Sequence, residues 1–67
     1  MKNASARPTL FTLMARLTAA ARQKLGERRR ELKTRDGVEE RLVEVKKGEW
    51  QLEYWREKEK LEVIPLT

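Results

Sequence analysis

The chain has 67 residues, no cysteine and no histidine, 40% charged side chains and a formal net charge of +5. That composition excludes disulfide stapling, zinc sites of the usual kind and histidine-based catalysis, and no apolar run reaches the ~20 residues of a membrane-spanning helix. At this length a single domain is expected, burying only about 60% of the surface its unfolded chain exposes, so a homodimer that recovers the missing stability is a further expectation.

Met1 to Arg7 is polar and without periodicity, and reads as a mobile arm. Helix signals begin at Pro8-Thr9, with Thr9 as N-cap and Pro8 delimiting the start. Leu10, Leu13, Met14, Leu17, Ala20, Ala21 and Leu25 then follow the i, i+3, i+4, i+7 spacing of one amphipathic helix. Past Ala21, Lys24 and Arg28 fill positions that ought to be apolar. The helix therefore either stops at Gly26, with residues 31–35 forming a fourth strand before an Asp36-Gly37 turn, or it runs on to about Lys33. A favourable Glu31-to-Arg35 spacing supports the longer helix, which we adopt, over residues 9–33.

Leu42 to Leu66 reads as two hairpins sharing a middle strand, with tight turns at Lys47-Gly48 and Glu57-Lys58. Counting back from the turns pairs Val45 with Trp50, Val43 with Leu52 and Arg41 with Tyr54. On the other side it pairs Tyr54 with Leu61, Leu52 with Val63 and Trp50 with Pro65. The core face then holds Val43, Val45, Trp50, Leu52, Tyr54, Leu61 and Val63, and the outer face Leu42, Glu44, Gln51, Glu53, Trp55, Glu62 and Ile64. A helical reading of the same stretch leaves Val43, Trp50 and Tyr54 on the wrong side and places Gly48 inside a helix. The expected fold is α+β: one N-terminal amphipathic helix packed on a three-stranded antiparallel β-meander over 38–66, in a single domain. Helix followed by three strands resembles double-stranded RNA-binding domains in element order alone; their second helix and motif residues are missing, and no family is assigned.

Charge divides the chain. Residues 1–35 hold ten basic and two acidic groups, a balance of +8, whereas residues 36–67 hold six basic and nine acidic ones, a balance of −3. An anionic partner for the helix side is the functional reading of that asymmetry, and mutual neutralisation inside the fold the structural one. Arg22, Arg28, Arg29, Arg30, Lys33 and Arg35 are the candidate phosphate contacts, since helical spacing sets Arg22, Arg29 and Lys33 along one flank with Arg30 beside them. Solvated cations complementing the helix dipole are the structural reading of the same run.

Trp55, with Leu42 and Ile64 beside it, forms a candidate protein interface on the outer face; a cation-π contact with Lys60 is the local alternative. The carboxylates Glu39, Glu40, Glu44, Glu49, Glu53, Glu57, Glu59 and Glu62 alternate with Lys and Arg, which suits solubility and edge protection better than a metal site. Neither metal nor cofactor is expected. Ser5, the only serine, has no His or Cys to activate it, and Gly26, Gly37 and Gly48 are isolated, so no enzyme is expected.

Two functions follow as expectations. The first is a nucleic-acid-associated regulator that contacts the phosphates of DNA or RNA. The second is a protein-interaction module, a small inhibitor or accessory subunit, that docks through Leu42, Trp55 and Ile64 or on an anionic protein surface. A cytoplasmic location is expected, although the acid-free stretch Met1 to Lys24 also matches organelle transit segments.

Overall fold

A computed structural model describes residues 8–66. The arm expected over Met1 to Arg7 lies outside them. Two helices, α1 (Leu10–Ala15) and α2 (Ala19–Lys33), precede three strands, β1 (Val38–Lys46), β2 (Glu49–Arg56) and β3 (Glu59–Pro65). The strands form one antiparallel sheet in the order β1-β2-β3. This is the expected α+β arrangement, helix against meander.

The single helix of the sequence reading is two. Thr9 caps α1, accepting the Thr12 N–H at 3.1 Å. The chain then leaves helical geometry, and Thr18, extended at φ −65° and ψ 161°, starts α2 by accepting the Ala21 N–H at 3.1 Å. Arg22 spans the break, donating Nη2 to the Leu17 carbonyl at 3.1 Å. Apolar spacing reports where side chains must point, not whether the backbone between them is continuous, so a stripe that crosses a second Thr cap concealed the break. Gly26 does not end α2, which runs to Lys33, and residues 31–35 form no fourth strand. A turn from Arg35 to Val38, with Gly37 at φ +76°, leads into β1.

Both hairpin turns fall where the sequence puts them, since Lys46 pairs with Glu49 and Arg56 with Glu59. The faces of the edge strands do not. Glu44 pairs with Trp50 and Lys46 with Glu49, so Val45 is an extra residue in β1. Tyr54 pairs with Glu62 and Trp55 with Lys60, so Leu61 is an extra residue in β3. Beyond each bulge the pairing slips by one, and a slip of one exchanges the two faces of a strand. Leu42 therefore lies opposite Leu52, Glu40 opposite Tyr54 and Ile64 opposite Leu52.

The core consists of Leu13, Leu25, Leu32, Trp50, Leu52, Tyr54 and Leu66, with Leu10, Met14, Leu17, Val38, Leu42 and Ile64 packed around it. The middle-strand assignment of Trp50, Leu52 and Tyr54 is thus correct. Val43, Val45, Leu61 and Val63, expected in the core, are not part of it, and Val45 is 56% and Val63 39% exposed. The counted register would also set Glu53 opposite Glu62, a like-charge pair; Glu53 is paired with Arg41 and Val63 instead.

Candidate functional site

Leu25 and Leu32 stand seven residues apart on the buried side of α2, and Arg28 and Arg29 lie between them. At 3.6 residues per turn these two arginines flank the centre of the face turned to the sheet. Each reaches a different edge strand. Arg28 grips Glu62 of β3 through Nε at 3.1 Å and through Nη2, and also pairs with Glu31. Arg29 grips Glu40 of β1 through Nε at 2.7 Å and Nη2 at 2.9 Å. Two-pronged guanidinium–carboxylate bonding fixes orientation as well as contact, so α2 is clamped to both edges of the sheet.

Glu40 also accepts from the Tyr54 hydroxyl and lies 3.5 Å from Lys33 Nζ. Hydrogen bonding from Arg29, aided by Tyr54, holds its carboxyl down to about 2 despite partial burial. The same pairing raises Arg29, and burial followed by the Glu40 contact pushes the Tyr54 hydroxyl up. Arg28 lowers Glu62 and is itself raised by Glu62 and then Glu31.

On the outer face, Trp55 lies beneath two cations, with Arg41 4.6 Å and Lys60 5.3 Å from its ring centroid. Its Nε1 donates to Glu53 at 2.9 Å, and Gln51 donates to the same carboxylate at 2.8 Å. These donors lower Glu53 and cover it, leaving a glutamate only 7% exposed on the solvent side of the sheet. Leu42 and Ile64 pack on the core side with Leu52, so the expected Leu42/Trp55/Ile64 patch is divided between opposite faces.

Of the six candidate phosphate contacts, Arg28 and Arg29 are therefore structural clamps and Lys33 stands half-exposed beside Glu40. Arg22, Arg30 and Arg35 remain exposed with no ion pair among the described residues. Arg16, between the helices, joins them. Arg22, Arg30 and Lys33 fall within about a quarter of the α2 circumference, with Glu27 one turn before Arg30 at the margin of that flank and Glu31 beyond it.

Three depressions adjoin α2, one of them an open polar one lined by Lys24, Glu27, Arg28 and Glu31. An open apolar groove of about 460 Å³ separates α2 from β3, lined by Leu17, Ala21, Leu25, Ile64 and Pro65 together with the Arg28–Glu62 pair. A smaller cleft of about 120 Å³ is lined by Phe11, Met14, Ala15 and Arg22. Phe11, 83% exposed, went unremarked in the sequence because it falls between the stripe positions Leu10 and Leu13; a large aromatic off the stripe was the available signal.

Among the described residues no cluster of potential metal ligands occurs, and no helix is long and apolar enough to cross a membrane. Comparison with protein-family models, characterised proteins and solved structures finds no match.

Proposed function

We propose that this chain binds the phosphate backbone of a nucleic acid along the outward flank of α2, as a non-enzymatic regulator or accessory factor. Arg22 and Arg30 make the central contacts, with Arg16 and Arg35 at the two ends and Lys33, half-exposed and paired with Glu40, a lesser one. The observation that carries this reading is the sorting of the cations. Arg28 and Arg29 are neutralised by Glu62 and Glu40, whereas Arg16, Arg22 and Arg30 have no ion pair among the described residues and Arg35 has only a longer-range attraction to Glu62. Cations left unpaired on α2 and beside its two ends gain affinity for phosphates by releasing condensed counterions. The interaction-module reading is not favoured in its original form, because Leu42 and Ile64 lie beneath the helix and Trp55 is engaged by Arg41, Lys60 and Glu53.

Anisotropy titration of labelled DNA and RNA, at roughly 50 and 200 mM salt, tests the proposal. Affinity should fall steeply with salt, and Arg30→Gln should reduce the slope by about one. Arg28→Gln should act chiefly on stability. Absence of binding at the lower salt would remove the proposal.

A further inference from the structure

We propose that the cleft formed by Phe11, Met14, Ala15 and Arg22 receives an unpaired nucleobase, so that the nucleic acid held along α2 is single-stranded. The inference rests on the phosphate-binding reading and adds to it the class of strand.

Phe11 is the most exposed large apolar side chain among the described residues, at 83%. Its neighbours Leu10, Leu13 and Met14 all belong to the core or pack against it, so the fold does not use Phe11 for stability. An isolated surface phenylalanine needs no explanation. This one shares a cleft with the unpaired cation Arg22, and Arg22 begins the cationic flank that continues to Arg30 and Lys33. An aromatic face beside a cationic track is what unpaired nucleic acid requires, because bases stack on the ring while phosphates follow the cations. Bases inside a duplex are stacked on one another and offer no face to such a side chain.

The cleft is also held in place. Thr9 caps α1 immediately before it, and Arg29 Nη1 lies 3.9 Å from Met14 Sδ, which ties its floor to the Glu40 clamp. Trp55, the other aromatic near cations, differs in the relevant respect: Arg41 and Lys60 already lie over its ring and its Nε1 is committed to Glu53. Arg22 keeps its donor to the Leu17 carbonyl at 3.1 Å and has further N–H groups for a phosphate.

The test compares oligo(dT) with a blunt hairpin duplex and with polyglutamate, at low salt, for the full chain and for Phe11→Ala, Phe11→Trp and Arg30→Gln. Circular dichroism checks that each variant is folded. Phe11→Ala should weaken oligo(dT) binding about 5- to 100-fold with the salt slope unchanged, and leave any duplex binding as it was. Phe11→Trp should keep single-strand affinity and gain fluorescence quenched by the oligonucleotide. If Phe11→Ala changes nothing while Arg30→Gln weakens both nucleic acids, the base subsite is refuted and the phosphate reading stands. Equal loss on duplex, a preference for duplex, or equal binding of polyglutamate also refutes the subsite. No binding of either nucleic acid by the unaltered chain removes both.

Discussion

Arg29 and Glu40 meet through two parallel N–H···O bonds of 2.7 and 2.9 Å, joining the sheet-facing side of α2 to the edge strand β1. The carboxylate is mostly buried, at 14% side-chain exposure, and Tyr54 donates to it from the neighbouring strand. Removing Glu40 would leave a half-buried guanidinium and a buried phenol without their acceptor. Glu40→Ala should therefore cost about 2–4 kcal/mol in urea unfolding. Arg29→Met combined with Glu40→Leu should cost clearly less than the two single changes added together, since no charge is then stranded.

The acid limb of stability follows from the same carboxylate. Its folded value of about 2 lies below the ordinary 4.5, so the unfolded chain binds the proton more readily. The stabilisation is fully present above pH 4.5 and is lost as pH falls through about 2, by on the order of 3 kcal/mol. Tyr54 sets the alkaline limb with the opposite sign. Its hydroxyl is raised above the ordinary 10.0, so stability is retained below pH 10 and declines above it. Urea midpoints across pH 2 to 11 would show both limbs, and Glu40→Gln should flatten the acid one.

The two bulges can be tested by side-chain truncation. If Val45 and Val63 face away from the core, Val45→Thr and Val63→Thr should each change stability by no more than about 0.5 kcal/mol. Leu52→Ala, at a fully buried position, should cost about 2–5 kcal/mol. Leu42→Ala, partly buried against the core, should fall between them. A large effect at Val45 together with none at Leu42 would restore the unbulged register.

Gly26 lies inside α2, and a Cβ built on it meets nothing within 4 Å. Gly26→Ala should raise stability by about 0.5–1 kcal/mol, the helix-interior difference between the two residues. Thermal unfolding at constant protein concentration measures it.

Glu57 adopts φ +56° at the second hairpin turn, a left-handed conformation uncommon for a side chain of its kind. Glu57→Asn should stabilise by up to about 1 kcal/mol, because Asn tolerates that region better. Gly48, at φ +82° in the first turn, should respond in the opposite way, with Gly48→Ala destabilising by a similar amount.

The local features were legible in the sequence: the Thr9 cap, the apolar stripe from Leu10 to Leu25, both two-residue turns and the core role of Trp50, Leu52 and Tyr54. These depend on spacing and on backbone preferences within a few residues, which a single chain displays directly. What the sequence concealed traces largely to two added residues, Val45 and Leu61. A bulge has no required residue type here, and two of them, one on each side of β2, left the counted registers in agreement with each other while both were displaced by one. Consistency between the hairpins was therefore no safeguard.

The composition, the placement of charge along the chain and the order of elements were determined by the sequence itself. Only the tertiary structure decided which arginines remain available to a partner. Once the bulges turn Glu40 and Glu62 toward α2, Arg28 and Arg29 acquire carboxylate partners, the Arg29–Glu40 pair being the more buried of the two, and Leu42 and Ile64 pack against the core. Arg22 and Arg30 point elsewhere on the same helix and keep their charge for solvent or a ligand. The division follows from which side chains a packed layer leaves facing water.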